Sequence, residues 1–352
     1  MECIKQNKET MTEQPLVCIC IPHFNNKGTI SQTLDSLLSQ TYQNIIIKVF
    51  DNVSDDGSWE IVKEYAEKYS NIRAFQNSEN IGGEANFTEC IQGLEGKYGA
   101  IYHADDIYHP LIIETQVKYL SENDISAVFV RANIIDDRSE NVGEQFFPNE
   151  IKKNDYYQFD FKKLLSLILK YDNFLITPSV MARVDLYQQQ VKSWNGEVFK
   201  TSADLDVWLR FSLIKDVGII TKKLISYRLS KSSHTYRTKF TRVTPRDMFG
   251  VIDYYLNNYK SLGFSLVDYE YLKFKDSAIV FGNKLLNNSE VKCGEIKLNG
   301  FSIIGKIFLS RRKINIFLYV YLLNILVCLN LNFIALSVVK QANKIKKNEY
   351  ID

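Results

Sequence analysis

Short apolar runs alternate along the first third of the chain with segments whose apolar residues recur every three or four positions. "LVCICI" (16–21) reads as a buried strand, and "PHFNNKG" breaks it. "TISQTLDSLLSQ" follows, with Ile30, Leu34, Leu37 and Leu38 at helical spacing and Thr29 as an N-cap candidate. "IIIKVFD" (45–51) predicts a second strand, ending in the acidic loop "DNVSDDGS", after which "WEIVKEYAEKY" returns to helical spacing. "NIRAFQN", "YGAIYHA" and "SAVFVRA" predict three more strands, with the helix "HPLIIETQVKYL" before the last of them. Such alternation predicts an α/β fold, a mostly parallel sheet flanked by helices. Ligands of open sheets of this kind lie beyond the carboxyl ends of the strands. The loops after Ile21, Asp51 and Ala104 should therefore meet in space. Beyond Arg131 the pattern is less regular, although "SADLDVWLRFSLIKD" predicts an acid-opened helix and "GIITKKLISYRL" a strand.

Charge and composition narrow the partners. Forty-three Lys and Arg stand against 41 Asp and Glu in 352 residues, so no strongly basic field points to nucleic acid. Cys18 and Cys20 alternate within a strand and read as small core residues; no CxxC pair suggests zinc. The N-terminal segment is polar and lacks an apolar signal core, which predicts a reducing, cytoplasmic setting. The stretch "IYHADDIYHP" (101–110) places Asp105 beside Asp106 where a buried strand ends. Adjacent carboxylates there need either solvent, as in a turn, or a shared cation.

Four stretches, taken in order, resemble family 2 glycosyltransferases of the GT-A fold, a nucleotide-sugar-dependent group with many bacterial polysaccharide enzymes. "ICIPHFNN" resembles the family's first strand and Pro-x-Tyr-Asn turn, with Phe24 in place of Tyr. "VFDNVSDDGS" resembles its second-strand loop, "YHADDIYHP" its Asp-x-Asp region, and "SADLDVWLR" its Glu-Asp-x-Asp-x-Trp-x-Arg segment. The resemblance implies a Rossmann-like GT-A sheet and an inverting transfer from a nucleotide-sugar donor to a glycan or lipid-linked acceptor. It also implies a divalent metal, Mn²⁺ or Mg²⁺, to offset the charge of the departing diphosphate. Asp106 would ligate that metal and Asp105 would contact the ribose or a metal-bound water. His103 stands where the family has its first Asp. His234 lies in a region where relatives place a metal- or diphosphate-binding His. Asp51 would accept the imide N–H of a uracil or thymine base, favouring UDP or dTDP sugars, or else would simply form the turn before Asn52. Pro22, Phe24, Asn25, Asn52, Arg73 and Gly82 complete the implied nucleotide-sugar contacts, with Gly82 permitting positive φ. Aligned through Trp208 and Arg210, the family's catalytic base falls on Asp204, with Asp206 as its alternative and Ala203 replacing the family Glu.

The expected organisation is a catalytic domain over 1–240 (nucleotide half 14–135, acceptor half 136–240) and a helical region over 241–352. Within that region 314–339 is the most apolar stretch, flanked by basic residues and interrupted by Asn315, Asn324, Asn330 and Asn332. This predicts two helices broken at "LNLN", able to make peripheral membrane contact, and an enzyme at the cytoplasmic face of the inner membrane. His103 and Ala203 keep a second class open, a relative that binds nucleotide-sugar or scaffolds without chemistry. A nucleotidyltransferase fits less well, because "PHFNNKG" is a poor phosphate loop.

Overall fold

The computed structural model describes residues 14–229, 241–287, 289–292 and 311–348. His234 lies outside them. Among the described residues ten strands form one sheet with the path β3-β2-β1-β4-β9-β6-β10-β5, with β7 (Asn141–Glu144) pairing to β6 and β8 (Tyr156–Phe159) to β10. The strands β1 (Val17–His23), β2 (Ile45–Asp51), β3 (Ile72–Gln76) and β4 (Tyr98–Ile101) run parallel. β9 (Val180–Arg183) is then inserted antiparallel between β4 and β6 (Ala127–Ile135). β10 (Val217–Arg228) runs parallel to β6 and pairs with the two-residue β5 (Ile107–Tyr108).

Burial on both faces explains the unbroken apolar runs. Along β1 the side chains of Val17, Ile19 and Ile21 enter one core and those of Cys18 and Cys20 the other. Each of these aliphatic side chains, fully shielded from water, contributes roughly 2 kcal/mol by the usual transfer scale. Helices α1 (Ile30–Leu38), α2 (Ser58–Lys68) and α4 (Ile112–Glu122) cover the first face. α3 (Gly83–Gly93), α5 (Phe161–Tyr171) and α6 (Ala203–Ile214) cover the second.

Thr29 occupies the expected N-cap position of α1. It makes no side-chain cap and instead donates through Oγ1 to the Ala104 carbonyl at 3.1 Å, tying α1 to the acidic loop. At α2 the N-cap position is Gly57, and Asp56 just before it accepts the Ser58 N–H through Oδ1 at 2.9 Å. α7 (Met248–Asn258) and the start of α8 (Val267–Leu286) share the core beneath α5 and α6, so the packing is continuous past residue 240. A separate cluster begins at Phe274, where α8 meets α9 (Arg311–Cys328) and α10 (Asn332–Asn348). These are the two helices expected on either side of "LNLN", with Asn330 at φ 58° in the turn. Among the described residues no helix is long and apolar enough to cross a membrane.

Candidate active site

Strands β1 and β2 end level with one another, and β4 ends three residues earlier beside Cys20. His23 pairs with Asp51 in the register, and the Tyr102 N–H donates to the Cys20 carbonyl at 2.9 Å. Their three following loops close around a cavity of about 430 Å³ lined by Pro22, His23, Phe24, Asn26, Asn52 and Asp105, among others. Asn80, Gly83 and Phe87 form its far wall. Gly82, at φ 84° and ψ 162°, turns the chain into α3 through a conformation that side-chain-bearing residues rarely adopt.

The acidic loop is clamped from several sides. The Tyr108 hydroxyl accepts the His103 N–H at 2.8 Å, and its ring stacks on Tyr102 at 4.1 Å between centroids. Thr33 donates to the Asp106 carbonyl at 2.8 Å. Arg228, buried at the end of β10, donates its backbone N–H to Asp106 Oδ1 and its Nε–H to the Asp105 carbonyl, both at 2.8 Å. The remaining guanidinium groups hold the Asp136 carbonyl, Gln32 and Ser139. Arg228 was not singled out in the sequence; a lone Arg closing an apolar strand was the one signal available.

His103, Asp105 and Asp106 each offer one ligand atom, all within 4.8 Å of one another. Asp106 is 0% exposed, and its Oδ2 has no hydrogen-bond partner within the protein; neither does the buried Nε2 of His103. Burial first, and then the Asp105 charge, push the Asp106 carboxyl well above its ordinary value against the opposing pull of Arg228. Burial lowers the His103 pKa and keeps a neutral imidazole with a free lone pair. Two hard carboxylate oxygens and one imidazole nitrogen fit a first-row divalent cation such as Mn²⁺. The unsatisfied Asp106 Oδ2, 3.9 Å from His103 Nδ1, is the atom such an ion would complete.

Asp51 differs from the expectation. Its carboxylate is fully buried and takes four donors: His23 Nδ1–H at 2.7 Å, Ser54 Oγ–H at 2.5 Å, Ser54 N–H at 3.1 Å and Gln76 Nε2–H at 2.8 Å. Burial raises its pKa, but these donations outweigh it and bring the group to about 2. With every acceptor position used, Asp51 supports His23 from below, and His23 and Asn52 face the cavity. His23 sits inside the "PHFNN" segment, where its neighbours carry the motif.

Two further expected residues do not line the cavity. Asn25, at φ 54°, directs its side chain to Asp55 in a reciprocal pair of 2.9 Å hydrogen bonds, and Asn26 takes the cavity position instead. Arg73 does not line the cavity; it pairs with Glu95 at 3.3 Å.

The acid-opened helix α6 is tied to that edge of the sheet through the antiparallel β9, although Asp204 is not among the residues lining the cavity. Because β9 runs against β4, the turn Thr177–Ser179 that leads into it stands at the carboxyl end of β4. Thr177 Oγ1–H donates to Asp204 Oδ2 at 2.7 Å, and the Leu205 N–H donates to Oδ1 at 2.7 Å. Burial raises the Asp204 pKa against these two donors. The same helix carries Trp208, which meets Trp194 edge-on at 6.0 Å; Trp194 stacks on Phe87 at 4.4 Å, and Phe87 meets His103 edge-on at 5.7 Å. Asp206 has a different role. It is buried and holds Arg210 at 2.8 Å, Asn195 Nδ2–H at 3.0 Å and the Tyr255 hydroxyl at 2.7 Å.

The sequence profile of glycosyl transferase family 2 matches residues 18–188, which contain all three cavity loops. By that match residues 18–188 are a glycosyl transferase family 2 segment. An uncharacterized glycosyltransferase of Methanocaldococcus jannaschii is 27% identical over 301 residues, covering 82% of this chain and 98% of that protein. One from Haemophilus influenzae is 26% identical over 251 residues, covering 70% and 76%. Among solved structures, residues 1–349 of S. aureus TarS in complex with UDP-GlcNAc superimpose with a TM-score of 0.55 at 14% identity, covering 94% of this chain and 92% of that one. The shared architecture is the GT-A fold.

Proposed function

We propose that this family 2 glycosyltransferase moves a hexosyl group from a UDP- or dTDP-sugar to a glycan or lipid-linked acceptor. The inferred product is a surface polysaccharide, made at the cytoplasmic face of the inner membrane. The observation that carries the reading is the convergence of the β1, β2 and β4 loops on one cavity with Asp105 at its edge. A structural neighbour that binds UDP-GlcNAc supports the choice of donor.

In this reading Phe24, 46% exposed at the cavity mouth, offers a ring face to the base, and Asn52 and His23 supply polar groups beside it. Asp105, Asp106 and His103 would hold the divalent cation. When bound, that cation offsets the negative charge of the departing nucleoside diphosphate. Asp204 takes the proton from the acceptor hydroxyl as that oxygen attacks the anomeric carbon, in one displacement that inverts the centre. Its raised pKa suits a base working nearer neutrality than an ordinary carboxylate. Thr177 and the Leu205 N–H fix the carboxylate's orientation, and a fixed base is worth more than a mobile one.

The test is donor turnover. Purified full chain should hydrolyse at least one UDP- or dTDP-sugar slowly in Mn²⁺ and stop in EDTA. Binding of the donor with no turnover under any metal would instead identify a binding protein that has lost its chemistry.

A further inference from the structure

The C-terminal helical pair carries an unusual surface. Val320, Leu323, Leu326 and Val327 of α9, with Ala335 and Val339 of α10, pack on Phe274 and Phe281 of α8. The opposite side of α9 leaves Leu318, Leu322 and Ile325 exposed, at spacings of four and three that keep them on one stripe. The stripe runs into the bend between the helices, where Leu329 is 62%, Leu331 40% and Phe333 84% exposed. Large aliphatic and aromatic side chains gathered at a bend are not needed to hold the pair together, because the buried face already does so. Such a continuous patch marks an interaction surface.

Charge identifies the partner. Residues 311–348 contain seven Lys and Arg and no Asp or Glu, although the whole chain is almost balanced. Two copies of this region facing each other would bring like charges together. A surface both anionic and apolar satisfies both features at once, and a bilayer containing acidic phospholipids is such a surface. With no membrane-crossing helix among the described residues, the pair would lie on the membrane rather than span it. We infer that α9 and α10 dock on an anionic bilayer, with the Leu329–Phe333 bend inserted at the level of the first acyl carbons. This deepens the proposed reading of a lipid-linked acceptor, which it would bring within reach, but the binding itself does not depend on transfer.

The test is flotation of the full chain with vesicles of phosphatidylcholine alone and with about 30% phosphatidylglycerol, near physiological salt. The partition coefficient should be at least about tenfold higher on the anionic vesicles and should fall steeply with added salt. The double variant L329S/F333S should lose about tenfold or more of that partition. Both positions are exposed, so its fold should survive, which thermal unfolding checks. Phe333→Trp supplies a second readout: its emission should shift to the blue and be quenched by brominated acyl chains. Equal partition on neutral and anionic vesicles, unchanged binding of the double variant, or an unquenched Trp would overturn the inference. So would a solution dimer that the double variant dissolves, which would give the patch to a second copy. Donor hydrolysis measured on the same preparations separates the two claims. Turnover without vesicle binding rejects only the docking, and vesicle binding without turnover rejects only the transfer.

Discussion

Two acidic pairs stand at the rim of this sheet, and they are built differently. At Asp204 and Asp206 the two acids divide the work. Asp206 is closed off by Arg210, Asn195 and Tyr255, whereas Asp204 meets only Thr177 and one backbone N–H. At Asp105 and Asp106 neither acid is closed by a Lys or Arg side chain, and the buried Asp106 Oδ2 has no hydrogen-bond partner, with only His103 Nδ1 near it at 3.9 Å. A carboxylate closed by an opposite charge is architecture, whereas one buried without such a charge is costly and persists where something else completes it. Sequence spacing alone could not separate the members of either pair. The count of partners does.

The comparison can be broken first at Asp206. Replacing it by Leu leaves the Arg210 guanidinium without its partner in a half-buried site, and should cost about 3 kcal/mol or more of stability. Turnover per folded molecule should change little. Urea unfolding paired with active-site titration checks both halves, and a stable but inactive variant would move the chemistry to Asp206.

Asp51 gives the next largest effect. Its folded pKa of about 2 lies below its unfolded value near 3.8. The stabilisation is therefore complete above about pH 4 and is lost as the pH falls through about 2, an amount of about 2 kcal/mol. Denaturant midpoints for wild type and Asp51→Asn between pH 5 and 2 should converge as the acid end is approached. A constant gap between them would mean that Asp51 is not held ionised by His23, Ser54 and Gln76.

The rate itself should follow Asp204. A base acts only when deprotonated, so kcat should fall as pH decreases through a value above the ordinary carboxylate range, by about tenfold per pH unit below it. A profile flat down to pH 4 would contradict the raised pKa. The smallest effect belongs to Arg73, whose change to Ala should alter donor affinity by less than about twofold, because it faces Glu95 and not the cavity.

Much of this was legible from pattern. Strands buried on both faces read as continuous apolar runs, so β1 and β2 appear directly in "LVCICI" and "IIIKVFD", and their ends announce the loops that form the cavity. The short strands β5 and β9 were not legible, because two to four residues carry no period, yet β9 is what brings Thr177 to the rim. Side-chain direction was equally hidden. Asn25 and Asn26 are indistinguishable by type, and only the positive φ of Asn25 sends one to Asp55 and leaves the other at the cavity. Arg228 belongs with these, since its role depends on β10 passing beside a loop more than a hundred residues earlier.

The central claim is that Asp204 performs the proton transfer while the carboxyl-edge loops bind the donor. Calorimetric titration of a UDP-sugar with Mn²⁺ into wild type and Asp204→Asn, alongside turnover of each, tests it most directly. The account predicts equal donor affinity within about twofold and a loss of turnover of about a hundredfold or more. Near-normal turnover in Asp204→Asn, or a loss of affinity as large as the loss of rate, would contradict it.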